Sequence, residues 1–243
     1  HPHSLTIRHN LAYAYQCAGR IDEAITEYEA ELDACQRVLG LDHPDTLPSR
    51  GNLAGAYLEA GRPQEAIAEY KAVLDDCQRI LGPNHPQALT IRNNIALAYR
   101  EAGQLQKAIA AHEAVLDDCQ RILGPNHPQT LITRGTLALA YQEAGRVDEA
   151  VKEHEAVLDD CQRILGPNHP HTLTARNSLA LAYLNAGRMQ EAIAAHEAVL
   201  ADCQRILGPD HPYTLASHTN LASAYWRAGR FNEAISLGPG RPK

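Results

Sequence analysis

The dipeptide His-Pro falls at residues 1, 43, 85, 127, 169 and 211 of this 243-residue chain, a spacing of 42 at every step. No other feature restricts the fold as tightly. A fixed period between about 20 and 50 residues marks a repeat architecture in which each unit stacks only on its neighbours. The copies are close: the stretch AVLDDCQRILGPNHP at 72–86 returns unaltered at 114–128 and 156–170. The period divides the chain into repeats 1–42, 43–84, 85–126, 127–168, 169–210 and 211–243, the last one short, and predicts a single solenoid over 1–243.

Each repeat reads as two helices. Residues 63–81 place Ala66, Ile67, Tyr70, Val73, Leu74, Cys77 and Leu81 at helical spacing, and 44–60 carries a matching pattern. Between them Ala60-Gly61-Arg62 is too short for anything but an antiparallel turn. Gly82 can take a positive φ past the second helix and Pro83 blocks continuation. His85 precedes Pro86, which prefers the first helical position and holds its predecessor extended, as an N-cap requires. With one Phe, one Met and one Trp in the chain, Ala, Leu, Ile and Tyr must do the packing, which suits closely stacked helices.

The segment NLAYAYQCAGRIDEAITEY at 10–28, with Ala12, Tyr15, Gly19, Ala24 and Tyr28, resembles the tetratricopeptide repeat. The 42-residue unit with its LGxxHPxTL pattern is similar to the long-helix variant of kinesin light chains and many bacterial multi-repeat proteins. The resemblance spans essentially the whole chain and implies an all-α fold, a right-handed superhelical solenoid of about six antiparallel hairpins. Two columns depart from it. Arg8, Arg50, Arg92, Arg134 and Arg176 stand where a bulky aromatic is usual, and Glu31 or Val73 where a small residue is. The arginines either pair with carboxylates of an adjoining helix, the preferred reading, or offer guanidinium forks to an acidic partner.

Composition excludes several functions. The net charge of -7 is mixed along the chain, leaving no basic stripe for phosphates, so nucleic acid is not an expected partner. No apolar run approaches the ~18 residues that would span a bilayer, and no leader opens the chain, so no membrane partner is expected and a cytoplasmic location is. The start inside a His-Pro motif suggests a piece of a longer parent.

Cys35, Cys77, Cys119, Cys161 and Cys203 recur once per unit on the buried side of the second helix. Stacked helices sit roughly 10 Å apart, whereas a disulfide needs Cα atoms within ~7 Å, so these are expected as reduced core fillers. Cys17 lies outside this register and fits a reducing compartment. Six of the histidines belong to the His-Pro turns, and His112, His154 and His196 are again 42 apart, so they cannot converge on a metal. No nucleophile-base arrangement, P-loop or dinucleotide fingerprint occurs. The expectation is no enzyme, no catalytic residue, no metal and no cofactor.

Function is expected where the copies differ. The second helices are nearly identical, whereas the first helices change at positions that should face the hollow of a superhelix: Thr6, His9, Tyr13 and Gln16 against Thr90, Asn93, Leu97 and Arg100. By resemblance that lining binds a peptide or partner segment. Leu97, Leu139 and Leu181 form the predicted apolar stripe, flanked by Asn93, Asn94, Asn177 and Asn185, whose amides can bond both N-H and C=O of an extended chain. The resemblance to kinesin light chains, which carry NNLA-like runs at this place, adds Asn10, Asn52 and Asn220 as partial matches. The alternative for the asparagines is turn capping or hydration.

A rival reading is a structural module that self-associates head-to-tail. Repeat 6 lacks twelve residues between Ile235 and its Leu-Gly-Pro that repeat 5 carries as 195–206 or their equivalents, which leaves Trp226 and Phe231 near a helix stub. Leu5, Leu11 and Tyr15 at the other end would be the complement. A further alternative, implied by resemblance alone, is an accessory domain of a larger signalling ATPase or enzyme.

Overall fold

The computed structural model describes residues 2–40, 43, 44 and 46–237, with the side chains of 2–6 and 39 outside the description. The described residues form twelve helices and no strand: α1 (Pro2–Cys17), α2 (Ile21–Leu39), α3 (Thr46–Glu59), α4 (Pro63–Leu81), α5 (Pro86–Glu101), α6 (Leu105–Ile122), α7 (Pro128–Glu143), α8 (Val147–Leu165), α9 (Pro170–Asn185), α10 (Met189–Leu207), α11 (Pro212–Arg227) and α12 (Phe231–Ser236). They pair as one hairpin per repeat. Contacts gather into two compact units, His1–Thr133 and Arg134–Lys243, with the division inside α7.

The turn chemistry follows the sequence closely. Gly82 adopts φ 95° past α4, and Gly61 φ 70° between α3 and α4. His85 is extended at φ -67°, ψ 138°, and its Nδ1 accepts the Gln87 backbone N-H at 3.2 Å. His127, His169 and His211 cap α7, α9 and α11 in the same way. The His-Pro motif is therefore an N-cap built from an imidazole. Thr130, Thr172 and Thr214 add a second tie, each hydroxyl donating to the carbonyl of the preceding glycine at 2.8 Å. Repeat 3 has Ala88 at that position and cannot make this bond.

In the first unit, Leu47, Ala54, Ile67, Tyr70, Val73, Cys77, Ile91 and Ile95 form one core between α3, α4 and α5. In the second, Leu184, Ile193, Leu200, Leu221, Ala224 and Tyr225 do the same between α9, α10 and α11. Buried alanines at Ala12, Ala54, Ala96, Ala138 and Ala180 recur once per repeat, where a larger side chain would hold the helices apart. Cys35, Cys77, Cys119, Cys161 and Cys203 are buried and unbridged, and Cys17 is exposed. Burial pushes the thiols of Cys77, Cys119 and Cys161 up, which keeps them protonated and inert.

Candidate functional site

The first-helix face is built differently in the two units. In the first, Leu97 is half-buried on α5, while Asn93 is buried with Oδ1 lacking a hydrogen-bond partner. Asn94 is half-buried and bonds the Tyr70 hydroxyl. Asn10 is exposed, Asn52 half-buried, and Arg100 bonds Glu101 at 2.7 Å. The amide of Gln16 donates to Glu59 at 2.7 Å and its oxygen accepts the Tyr28 hydroxyl at 2.9 Å, tying α1, α2 and α3 together.

In the second unit Leu139 on α7 and Leu181 on α9 are 37% and 42% exposed, one repeat apart. Asn220 on α11 donates to Asn177 on α9 at 3.0 Å, and Arg227 donates to Asn185 at 3.4 Å. The Asn177–Asn220 pair uses one amino group and one oxygen, so each side chain keeps its other end for a ligand.

Each second helix buries one ring at the same position of the repeat, Tyr28, Tyr70 and His112 in the first unit and His154 and His196 in the second. Burial pushes Tyr70 up to about 12 and pushes His112 and His154 down to about 4, with the Arg100 charge adding to the shift at His112. His196 is shifted down by burial as well. These rings are therefore neutral near pH 7. Among the described residues, both ring nitrogens of His196 and Nε2 of His154 find no hydrogen-bond partner.

The arginine column faces its own hairpin. Arg50 bonds Glu69 at 2.7 Å and Asp76 at 2.6 Å, Arg92 bonds Asp118 and Arg134 bonds Asp160, both at 2.6 Å, and Arg176 pairs with Asp202. Each of these aspartates also receives an arginine one turn along its own helix, Arg79, Arg121, Arg163 or Arg205. Arg8 pairs with Glu27, because Ala34 stands where the later repeats have Asp. An arginine column bonded within each hairpin follows the preferred sequence reading. The other departure, Glu31, is buried beside Ser49, which donates to it at 2.8 Å, and His9, 3.4 Å away.

Near the end of the second unit, Trp226 (59% exposed) meets Phe231 (49% exposed) edge-on at 4.8 Å. Leu215, about 16 Å away in the first turn of α11, and Ile235 on α12 are also exposed, and neither was marked by the sequence reading. The signal for Leu215 was present: Leu89 and Leu173 at the equivalent position pack on Val115, Cys119 and on Val199, Cys203, residues for which repeat 6 has no counterpart. In the first unit Leu11 is exposed, Tyr15 is half-buried under Arg20 at 4.4 Å, and the side chain of Leu5 lies outside the described residues. Among the described residues no cluster of His, Cys, Asp or Glu could hold a metal ion, and no helix is long and apolar enough to cross a membrane.

Helical hairpins with alanine-lined seams and glycine turns at fixed spacing define a repeat protein of the class that generally serves as a protein-interaction scaffold. The tetratricopeptide repeat profile matches residues 3–75, 49–117, 88–158, 135–184 and 177–238, and the chain belongs to that family. No curated protein matches it. Among solved structures, the nearly identical TPR-like repeats of a protein assigned as a kinesin light chain in Podosopora anserina are 34% identical, over 84% of this chain and 97% of that one, with TM-score 0.73. BtubC (BKLC) from P. vanneervenii shares the fold at 20% identity, TM-score 0.76, over 92% of this chain and 94% of its own. A tetratricopeptide repeat protein from Parabacteroides merdae does so at 19% identity, TM-score 0.64, over 97% and 77%.

Proposed function

We propose that this chain is a non-enzymatic scaffold that takes up an extended peptide or partner segment along its first-helix faces. The observation that carries this reading is the pair Leu139 and Leu181, exposed at equivalent positions on first helices within one unit and set beside the Asn177–Asn220 amide pair. Apolar contacts there give affinity, and amides that bond backbone give tolerance of sequence. Six unbridged cysteines fit a cytoplasmic setting. The test is a peptide-array screen with Leu181→Glu alongside the parent. The variant should weaken the selected peptides about tenfold with an unchanged melting temperature, since Leu181 is not a core residue. Equal loss of binding and stability, or loss of neither, overturns the reading.

A second reading has its own support in the exposed Trp226–Phe231 pair. Exposed aromatic rings in contact favour association, and head-to-tail contact between unlike surfaces would propagate. Light scattering over a concentration series tests it: a constant monomeric mass refutes it, and growth suppressed by Trp226→Glu supports it.

A further inference from the structure

Along the hairpin ends the chain repeats one closed arrangement. Tyr183 donates to Glu155 on the preceding second helix at 2.8 Å, Arg188 lies over its ring at 4.3 Å, and Arg188 in turn pairs with Glu191. Tyr57 repeats it with Glu29 at 3.0 Å, Arg62 at 4.6 Å and Glu65. Tyr225, with Glu197, Arg230 and Glu233, repeats it again. Every charge in these groups has an opposite charge beside it.

At Tyr99 the same three positions are all rewritten. Lys71 replaces the first glutamate, Gln104 the arginine and Lys107 the second glutamate. The Tyr183 group carries one net negative charge and the Tyr99 group two positive ones, on a chain whose net charge is -7. Two of only four lysines in the sequence are spent here, at positions where every other repeat that has them carries glutamate. Lys71 Nζ lies 5.4 Å and Lys107 Nζ 5.7 Å from the Tyr99 ring centroid, and both lysines are exposed. Lys107 bonds Gln104 at 2.8 Å, and among the described residues no carboxylate pairs with either ammonium. The glutamate that accepts the phenol elsewhere is missing, so the Tyr99 hydroxyl keeps a donor without that acceptor.

We propose that Lys71, Tyr99 and Lys107 form a docking site for an acidic peptide segment of a partner protein at the hairpin end of repeat 3. Two point-charge ammoniums and a phenolic donor recreate what a carboxylate in the other repeats bonds to, with the carboxylate left for the partner to supply. The aromatic face between two cations also offers contact to the methylenes of a glutamate side chain. The site lies between the middle of α4 and the turn joining α5 to α6, apart from Leu139 and Leu181, and stands or falls separately from the peptide reading of the first-helix face.

The test uses the full chain and a fluorescein-labelled glutamate-glycine peptide in fluorescence anisotropy at low and at physiological ionic strength. The variant Lys71→Glu/Gln104→Arg/Lys107→Glu turns this junction into the arrangement already present at Tyr183, so its helicity and melting temperature should match the parent. It should bind the peptide at least about tenfold more weakly, while Leu181→Glu binds it as the parent does. The reciprocal variant Glu155→Lys/Arg188→Gln/Glu191→Lys should gain a second equivalent site. Absence of binding at low ionic strength, or binding that the first variant leaves unchanged, overturns the proposal. So does sedimentation showing parent self-association that the first variant abolishes, because the occupant would then be a second copy.

Discussion

Repeats 2 and 5 fill the same place in the hairpin with different side chains. In repeat 2 the buried ring is Tyr70, its hydroxyl bonded to Asn94 in the next first helix, and the facing first-helix residue is Gly55. In repeat 5 the ring is His196, the residue equivalent to Gly55 is Leu181, and Asn220, the equivalent of Asn94, pairs with Asn177 instead. The hydroxyl of Tyr70 lies 3.4 Å from where a Cβ on Gly55 would sit, whereas repeat 1 keeps Tyr28 buried with Tyr13 exposed at the equivalent first-helix position. Repeats 3 and 4 follow repeat 5, with His112 and Leu97, and His154 and Leu139. Repeats 3 to 5 thus carry an apolar residue on the first-helix face where repeat 2 has glycine. From repeat 2 to repeat 5 the ring beneath and the first-helix residue above change together, Tyr with Gly and His with Leu, while repeat 1 combines Tyr28 with Tyr13.

The largest way to break that comparison is acid. His112 and His154 are held near pKa 4 against an ordinary 6.5, so the folded state favours neutral rings. Their contribution is complete above pH 6.5 and is lost as pH falls toward 4, by roughly 3 kcal/mol for each ring. The ion-paired carboxylates Asp76, Asp118 and Asp202, held below 3.8 mainly by their arginines, lose their contribution only at still lower pH. Denaturant unfolding between pH 7 and 4 should therefore show a steep loss from the histidine repeats. A His112→Leu/His154→Leu/His196→Leu chain should be nearly flat over that window. If the parent and this variant fall together, the rings are not the cause.

Transplanting the repeat 2 solution is the next test, with a smaller effect. His196→Tyr together with Leu181→Gly should offer Asn220 a phenol and remove a ring whose pKa burial lowers, at the cost of a glycine inside α9, so the chain should lose less stability than the parent between pH 7 and pH 5. It should also weaken peptide binding at the first-helix face, because the leucine is gone. Acid stability gained without loss of binding would place the ligand elsewhere. Tyr70→Phe, read by denaturant midpoint at pH 7, should cost about 1 kcal/mol through the lost bond to Asn94.

Much of this organisation was legible in the sequence. The period of 42 placed every hairpin, Gly82 and Pro86 placed its ends, and the register of Cys77 placed its buried side. What was hidden is partner choice within the repeat. The letters put Arg50 and Asp76 in the same unit but do not say that one guanidinium would bridge Glu69 and Asp76 across the hairpin. They gave Asn93 and Asn94 as neighbours without telling that the first is buried and the second is bonded to Tyr70, since a turn of 100° per residue separates a lining position from a core one. The Tyr99 group could have been found by comparing columns, because Lys71 and Lys107 break a pattern kept elsewhere.

The smallest expected effect sharpens the comparison most finely, because it measures the contact between the phenol and the first helix. Gly51 and Gly55 both lie inside α3 with no positive φ, so alanine at either position removes backbone freedom from the unfolded chain and should stabilise it. A Cβ at Gly51 meets nothing within 4 Å, and Gly51→Ala should gain ~0.5–1 kcal/mol. A Cβ at Gly55 meets the Tyr70 hydroxyl at 3.4 Å, an ordinary van der Waals contact, so Gly55→Ala should also gain, by the same amount or slightly less. Gly55→Leu extends past that contact and should lose stability unless Tyr70→His is made with it, which rebuilds the repeat 5 pair. Denaturant midpoints of these four chains decide the matter. If Gly55→Leu is tolerated equally with Tyr70 or His at position 70, the phenol and the leucine do not compete, and the exposed leucines of the later repeats need a different cause.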